Sequence, residues 1–376
     1  MTLINFLTRI HFADRVLEEA LRSEMERLDS RHPLVIASAR HVESAIGQSI
    51  YSSFAIRTKI ATYSDIEAIA TEETADKIAQ TYREAGHDML IAFGGDNAID
   101  LAKIARIAIA RKEPVGHLTS EEGGTHGIRC AQPGLIAIPD ISGISSSVSD
   151  YSRLKLNSGK LVLLESRKMI PDVVICDPTV TLGSSREEGA SAAAGVISRG
   201  VGAYFAKGFN PPADGLALDS LNRIVSNADA ALNRDELTAR REMMAGCLNS
   251  ALSMQKGLCA VHAVSSALAS VVDSEIDFGA TGRLLLPHVV RFYEDEGNPR
   301  SRALKRSLFI REDMALAKGL KKLLRPLPLP SSLSAMGIAR SSLKHVAGLA
   351  SSDRAIWNGP RKIRQTEILD MLESVY

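Results

Sequence analysis

The chain has 376 residues, with 45 lysines and arginines against 44 aspartates and glutamates, so its formal net charge is +1. This balance gives no electrostatic support for a nucleic acid or an anionic membrane surface as a partner. No apolar run reaches the roughly 18 residues that a membrane span needs, and charged residues interrupt the N-terminal stretch, which therefore lacks the apolar core of a signal peptide. We therefore expect a globular cytoplasmic protein.

The first half of the chain alternates short apolar runs with stretches of helical periodicity, over 66–86 and 98–111. Each apolar run is rich in Ile, Val or Leu and ends in Gly, Pro, Asp or Ser, which is typical of buried strands. Four strands are predicted in this way: "PLVIAS" (33–38), "DMLIAFGG" (88–95), "GLIAIPD" (134–140) and "PDVVICDP" (171–178). Such an alternation predicts a parallel sheet covered by helices.

After about residue 185 the strand signals stop. The periodicity then predicts helices over 186–208, 213–232, 235–256, 258–273, 280–293 and 310–325, followed by a proline-rich connector at 325–333. The sequence therefore predicts an α/β domain over residues 1–185 and an all-helical domain over residues 186–376.

Two stretches carry candidate chemistry. In "LIAFGGDNAIDLAKIARIA", a strand leads through Gly94 and Gly95 into a helix that opens at about Asn97. Glycines and helix N-terminal amides let a backbone approach a pyrophosphate, although the same pattern also fits a plain turn, and it lacks the GxGxxG spacing. In "GASAAAGVISRGVGAYFA" (189–206), a predicted helix of small residues holds Arg199 in its middle.

The cysteines form no CxxC pair, and the histidines form no cluster in the sequence. We expect reduced, buried thiols at the cysteines, which are Cys130, Cys176, Cys247 and Cys259. His126 and His288 are interpreted as structural or exposed residues.

Several motifs resemble the iron-containing alcohol dehydrogenase family, which has the dehydroquinate synthase-like fold. "GGDNAIDLAK" (94–103) is similar to the family's GGGSxxDxAK segment, and "RLLLPHVVRF" (283–292) to its LLPHVxxF helix. Three more stretches follow in the family's order: "IAIPDISGISSSVSDY" (136–151), "KMIPDVVICDPTVTLGSS" (168–185) and "NGPRKIRQTEILDMLESVY" (358–376). The likeness covers nearly the whole chain, and the maleylacetate reductase branch is the nearest.

The resemblance implies an N-terminal α/β domain that binds NAD or NADP, an all-α domain that completes the active-site cleft, and a homodimer. The cofactor-binding residues that it implies are Gly94, Gly95, Asp96, Asn97, Asp100, Ser142, Ser146 and Lys160. Asp96 replaces the family's third glycine, and Asp140 and Ile141 replace its two threonines. The end of the first predicted strand, with Ser38 and Arg40, leaves the choice between NAD and NADP open.

The resemblance fails at the family's metal ligands. Gly195 stands at the position of the ligand aspartate and Arg199 at that of the first ligand histidine, whereas His262 matches a later ligand. Ser266 replaces a second histidine, and Phe278 or Ile276 stands at the last ligand position. One imidazole does not hold a divalent cation against water, and a guanidinium repels it, so no catalytic metal is expected.

We therefore hypothesise a metal-independent NAD(P)H oxidoreductase, similar to maleylacetate reductase, that acts on a small anionic oxo or hydroxy compound. Arg199 would bind the anion or polarise the carbonyl, and His262 would donate the proton. Ser266, Ser198 and Arg283 are further candidates near this position.

Two alternatives remain open at this point. In the first, Arg199 forms an ion pair with a nearby acidic residue, such as Glu188 or Asp277, and only fills space. The chain as a whole is instead a family member without redox activity, such as a lyase, an isomerase or a non-catalytic binding protein.

Overall fold

The computed structural model describes residue 4 and residues 8–54, 58–111, 115–118, 133–272, 276–294 and 298–376. The chain divides into two compact units, Phe6–Leu182 and Gly183–Tyr376. His126 and Cys130 lie outside the described residues, and the thiols of Cys176, Cys247 and Cys259 are buried as predicted. Within the described ranges, no helix is long and apolar enough to cross a membrane.

The first unit is built on a six-stranded parallel sheet with the strand order β1-β8-β5-β4-β2-β3. Two further strands, β6 and β7, form a separate antiparallel hairpin. In chain order the strands are β1 (Arg9–Phe12), β2 (Pro33–Ala37), β3 (Ala61–Tyr63), β4 (Met89–Gly94), β5 (Gly134–Pro139), β6 (Tyr151–Lys155), β7 (Leu161–Glu165) and β8 (Val173–Cys176).

The four predicted strands correspond to β2, β4, β5 and β8, whose side chains are buried on both faces except at Gly134, where β5 begins. The apolar patterns did not indicate β1 and β3, because these short edge strands are only partly buried and mix polar with apolar residues. The hairpin was missed as well, because β6 and β7 are only partly buried and lack a continuous apolar run that ends in a turn residue.

The described part of the first unit contains six α-helices: α1 (Leu17–Arg27), α2 (Ala39–Glu43), α3 (Ala45–Ser53), α4 (Glu72–Ala85), α5 (Asp96–Ala110) and α6 (Ile144–Val148). The hydroxyl of Thr71 caps α4 by accepting a hydrogen bond from the Thr74 N–H, and Gly86 ends it with a left-handed φ of 68°. Helix α5 is buried along most of its length, consistent with its run of Ala, Ile and Leu. The glycine turn is therefore held between a central strand and a buried helix.

The second unit is helical in all its described regular elements, as predicted. Its helices are α7 (Arg186–Phe205), α8 (Pro211–Arg234), α9 (Leu237–Ser253), α10 (Ala260–Ala269), α11 (Phe278–Arg291), α12 (Pro299–Ser307), α13 (Leu316–Leu324), α14 (Leu343–Ser352), α15 (Ala355–Asn358) and α16 (Gln365–Ser374). The prediction of one helix over 310–325 was wrong at its start, because α13 begins only at Leu316, where Glu294 accepts the N–H.

The small residues of α7 allow close packing on several sides. A Cβ atom on Gly189 would lie 2.3 Å from the side chain of Leu232 on α8. On the α11 side, a Cβ atom on Gly279 would lie 2.1 Å from the carbonyl oxygen of Ser191. The helix starts with a capping box in which Ser185 and Glu188 satisfy each other's backbone N–H groups. The Ala/Gly run is therefore explained largely by helix packing.

Candidate functional site

The first candidate site is the glycine turn at the carboxyl end of β4. Gly94 has a φ of 125°, which favours glycine, and Gly95 is the N-cap residue of α5. Gly95 has no side chain to cap the helix, although Asn97 Oδ1 accepts the Ala98 N–H at 2.9 Å. The first-turn N–H groups of a helix have no intrahelical acceptors, and they bind anions well. The backbone here thus fits an anionic group.

A second turn, after β5, packs directly on the glycine turn. The Asp140 N–H donates to the Gly94 carbonyl oxygen at 3.0 Å. The Asp140 Oδ1 atom accepts three hydrogen bonds, from the Ser142 N–H at 2.8 Å, the Ser142 hydroxyl at 2.7 Å and the Gly143 N–H at 3.0 Å. The donors of this turn are therefore directed at a carboxylate of the chain itself.

His41, on α2, completes this cluster. Its Nε2 atom lies 2.9 Å from Asp140 Oδ2, and its Nδ1 atom lies 2.7 Å from the Ser38 hydroxyl. The imidazole also packs on Gly94, where a Cβ atom would come within 2.9 Å of the ring. Burial opposes ionisation of Asp140, but the hydrogen bonds from His41 and Ser142 outweigh it and lower the pKa of this carboxyl. We call Ser38, His41, Asp140 and Ser142 the turn cluster.

Two residues of the "GGDNAIDLAK" motif hold α5 in place. The fully buried Lys103 ammonium donates to the Ser146 carbonyl oxygen and to the Ser149 hydroxyl, both at 3.0 Å, and burial lowers its pKa. The Ser152 hydroxyl donates to Asp100 Oδ1 at 3.0 Å. These contacts tie α5 to the segment around α6 and β6. The predicted cofactor residue Lys160 is exposed in the turn between β6 and β7.

In the second unit, Arg199 folds back over Gly195, one helical turn earlier on α7. A Cβ atom on Gly195 would lie 3.2 Å from a terminal guanidinium nitrogen of Arg199. The Arg199 Nε atom is buried without a hydrogen-bond partner among the described residues. No ion pair joins Arg199 to Glu188 or Asp277 there, so the space-filling ion pair considered above is not formed. The guanidinium thus occupies the space that a longer side chain at Gly195 would need.

The residues near the start of α11 form a connected group. Asp277 caps α11 by accepting the Gly279 N–H at 2.7 Å, and it also accepts the Ser191 hydroxyl at 2.5 Å. Ser191, Gly195 and Arg199 follow each other at four-residue spacing, so they share one face of α7.

The ring of the next residue, Phe278, lies 6.0 Å from that of His262, centroid to centroid. The Ser266 hydroxyl is 3.5 Å from His262 Nε2. The structure therefore brings His262, Ser266 and Phe278 together on α10 and α11.

Gly195, Arg199 and His262, which stand at the family's ligand positions, do not form a site for a divalent cation. At the position where a carboxylate ligand would stand, Gly195 offers no donor atom and the Arg199 guanidinium fills the space. Nowhere in the described ranges do three His, Cys, Asp or Glu side chains converge as metal ligands. A cation next to the guanidinium would be repelled, and a single imidazole is too few ligands.

One of the further candidates has a different role. Arg283 donates to the backbone carbonyl oxygens of Pro330 at 2.6 Å, Arg325 at 3.1 Å and Leu324 at 3.3 Å. This arginine therefore ties α11 to the end of α13 and the proline-rich connector, so its proposed role near Arg199 was wrong. Ser198 is buried against α11, where a Cβ atom on Gly282 would lie 2.9 Å from its Cβ.

Sequence reasoning missed His41, although "ASARH" directly follows a predicted strand. The only available signal was a histidine placed just after the carboxyl end of a parallel strand, where functional side chains gather. Its partner Asp140 is 99 residues away in the chain, and it follows a strand that is two positions away in the sheet.

The fold and the glycine turn define a two-unit protein, in which a parallel α/β unit with an anion-binding helix N-terminus precedes a helical unit. Residues 8–178 match the model of the family described as iron-containing alcohol dehydrogenase. Residues 191–376 match the C-terminal model of the same family. The chain belongs to the iron-containing alcohol dehydrogenase family, which consists of oxidoreductases, and the predicted membership and fold are confirmed.

Individual relatives give the same assignment. The chain is 30% identical to a 4-hydroxybutyrate dehydrogenase of Cupriavidus necator, over 99% of both chains. Its fold matches that of the sulfoacetaldehyde reductase of Bifidobacterium kashiwanohense in complex with NAD+, with a TM-score of 0.87 and 19% identity. The match covers 100% of this chain and 98% of the reductase. The fold also matches that of the maleylacetate reductase of Agrobacterium tumefaciens, with a TM-score of 0.80 and 21% identity. This match covers 100% of this chain and 99% of the reductase.

Proposed function

We propose that this protein is a metal-independent NAD(P)-dependent oxidoreductase that interconverts a small carboxylate-bearing carbonyl compound and its alcohol. The observation that carries the proposal is the Arg199 guanidinium, which lies over Gly195 with its Nε atom buried and without a partner among the described residues. Family membership supports the oxidoreductase reaction, and the name of the Cupriavidus necator relative supports a hydroxy acid as substrate.

The dinucleotide would bind at the glycine turn. The backbone of Gly94 and Gly95 and the first-turn N–H groups of α5, at Asp96 and Asn97, would hold the diphosphate. The uncapped N-cap position at Gly95 fits this role, and the NAD+ complex of the sulfoacetaldehyde reductase supports it by likeness of fold. When bound, the nicotinamide supplies or accepts the hydride.

Several further residues are proposed at the cofactor site. Ser142 and Lys160 would lie near the cofactor, at the turn cluster and at the β6–β7 turn. Asp100 and Ser146 would act indirectly, because their contacts with Ser152 and Lys103 fix the position of α5.

Arg199 would bind the carboxylate of the substrate. A guanidinium presents parallel N–H donors that match the two oxygens of a carboxylate, and it stays charged at any relevant pH. Arg199 is half-buried, and partial burial strengthens such a contact because water competes less for the donors.

His262 would hold and move the proton at the carbonyl or hydroxyl oxygen of the substrate. Histidine is the side chain whose ordinary pKa suits proton transfer near neutral pH. The Ser266 hydroxyl, 3.5 Å from His262 Nε2, would orient the imidazole. No step of this scheme needs a Lewis acid, in agreement with the poor fit of the Gly195 position to a cation.

The first test measures the binding of NADH and NADPH to the purified full-length protein by fluorescence titration. Saturable binding of at least one dinucleotide is expected. If neither binds, the oxidoreductase proposal is wrong and a member without redox activity becomes the better interpretation.

The second test compares Arg199→Ala with Arg302→Ala, which removes an exposed arginine from α12 in the same unit. The substrates are short ω-hydroxy acids and the matching alcohols that lack the carboxylate. For the acids, Arg199→Ala should raise KM by about 10- to 100-fold, as expected for a lost hydrogen bond to a charged group, and leave the Kd of the dinucleotide unchanged. An unchanged KM for the acids would contradict the role of Arg199.

The third test concerns the metal. Prolonged treatment with EDTA should leave the rate unchanged, and elemental analysis should find iron and zinc well below one atom per chain. Activity that disappears with EDTA and returns with either metal would refute metal independence.

A further inference from the structure

The turn after β5 has the hydrogen-bond donors of an anion-binding site, but the anion that they bind is the Asp140 carboxylate of the same turn. The three donors of Ser142 and Gly143 converge on one oxygen of Asp140, within 3.0 Å. Converging backbone N–H and hydroxyl donors are the means by which proteins bind phosphate and carboxylate oxygens. Burial raises the pKa of Asp140, but the hydrogen bonds from His41 and Ser142 outweigh burial and hold this pKa below its usual range.

This carboxylate lies directly beside the glycine turn. The Asp140 Oδ2 atom would be 3.6 Å from a Cβ atom on Gly95, and a Cβ atom on Gly143 would be 2.2 Å from the Gly94 carbonyl oxygen. The two turns are thus in van der Waals contact. A diphosphate at the N-terminus of α5 would therefore meet the Asp140 carboxylate at short range, and Asp96, the first residue of α5, adds a second carboxylate.

Like charges this close repel each other strongly, because the partly buried site screens them less than water does. The Asp140 side chain is 12% exposed and the His41 side chain 16%. His41 is the cation that contacts Asp140, at 2.9 Å, when its imidazole is protonated. Its other contacts with described residues are uncharged, namely the Ser38 hydroxyl, the Phe93 ring and Gly94. On its own helix, Arg40 and Glu43 are exposed.

We propose that His41 is a positioning residue for the dinucleotide, which cancels the charge of Asp140 and so lets the glycine turn accept a diphosphate. This inference rests on the proposed function, because it assumes that a dinucleotide binds there. His41 acts through Asp140 and the shape of the turn. Its imidazole fills the space above Gly94, and Ser38 holds the ring in the orientation that directs Nε2 at the carboxylate.

The proposal predicts opposite effects for the two members of the pair. His41→Gln keeps a hydrogen-bond donor for Asp140 but removes the positive charge, so it should weaken the binding of NADH or NADPH by about tenfold. Asp140→Asn keeps an acceptor for Ser142 and Gly143 but removes the negative charge, so it should tighten binding. The double variant should return to within about threefold of the wild type, because the two charges are removed together. All three differences should shrink as the salt concentration rises.

The experiment is a fluorescence titration of the full-length wild type and variants with the dinucleotide that the wild type binds, at low and high salt. Glu43→Gln is the matched control, because it removes an exposed carboxylate from α2. It should leave Kd within about twofold, as expected for a screened surface charge.

If Asp140→Asn weakens binding as His41→Gln does, the cluster is only structural and the proposal is overturned. Equal binding by all variants would overturn it as well. Failure of the wild type to bind either dinucleotide is a different result, which refutes the proposed function together with this inference. If His41→Gln fails to fold, Asp140→Asn alone tests the proposal: tighter dinucleotide binding supports it, and weaker binding overturns it.

Discussion

The turn cluster and the Arg199 region differ in how far hydrogen bonds satisfy their charged side chains. At the turn cluster, four hydrogen bonds from Ser142, Gly143 and His41 satisfy the Asp140 carboxylate. On α7, the Arg199 guanidinium has a buried Nε atom without a partner among the described residues. A satisfied buried charge stabilises its surroundings, whereas an unsatisfied donor costs free energy, and such costs are typical of sites that bind a ligand. The comparison therefore separates a carboxylate that is satisfied within the first unit from a guanidinium with an unsatisfied donor in the second unit, where we propose that the substrate binds.

The largest effect on the free energy of unfolding is expected when the Asp140 carboxylate is removed. Asp140→Ala removes the acceptor and leaves the Ser142 and Gly143 donors without a partner. We expect a loss of about 3 kcal/mol in the free energy of unfolding of the first unit, from the desolvated groups left behind. Urea unfolding monitored by circular dichroism measures this loss. A loss below about 1 kcal/mol would show that water replaces the carboxylate and that the cluster contributes little to stability.

A smaller effect is expected at the glycine under the imidazole. Gly94→Ala combines an unfavourable φ of 125° with a contact of 2.9 Å to the His41 ring. Gly86→Ala is the control, because Gly86 has a φ of 68° and nothing within 4 Å of the added Cβ. We expect Gly86→Ala to cost about 1 kcal/mol and Gly94→Ala about 2 kcal/mol or more, since only the second adds a steric contact to the strain.

Thermal unfolding of the two variants under the same conditions provides this comparison. Equal losses of stability in Gly86→Ala and Gly94→Ala would mean that the His41 imidazole moves aside without a change in free energy. That result would weaken the assignment of His41 to a fixed position above Gly94.

The pH dependence of stability offers a further test of the cluster. The pKa of Asp140 is lowered in the folded protein, so its ionised form contributes stability above the unfolded-state pKa, which is about 3.9. This contribution should be lost as the pH falls below that value, through the lower pKa of the folded state. The difference in unfolding midpoint between the wild type and Asp140→Asn should therefore shrink as the pH falls from about 5 to about 3. A difference that persists unchanged at pH 3 would contradict the charged role of Asp140.

The smallest effect on stability is expected at Arg199. Arg199→Met keeps the length of the side chain and removes the unsatisfied Nε donor, so the free energy of unfolding should stay constant or rise by up to about 1 kcal/mol. The KM for the acids should still rise by about 10- to 100-fold, as for Arg199→Ala. A marked loss of stability would instead mean that the guanidinium is a structural element of the helical unit.

Much of the fold could be predicted from the sequence. The continuous apolar runs of β2, β4, β5 and β8 predicted buried parallel strands, because only such strands are apolar on both faces. The family motifs predicted the glycine turn and the absence of the usual ligands at Gly195 and Arg199. The edge strands β1 and β3 were not predictable in this way, because a short, half-exposed strand leaves no distinct pattern of hydrophobicity.

The sequence by itself determined which residue types stand at each motif position, including an arginine in place of a ligand histidine and an aspartate in place of a threonine. Only the tertiary structure decided how their charges are balanced. His41 follows β2 and Asp140 follows β5, on either side of β4, so the strand order of the sheet brings them together. Among the described residues, the Nε atom of Arg199 has no hydrogen-bond partner, and Glu188 and Asp277 serve as helix-capping residues instead. Both outcomes depend on contacts between residues that are distant in the chain or on opposite sides of a helix, which local sequence patterns do not encode.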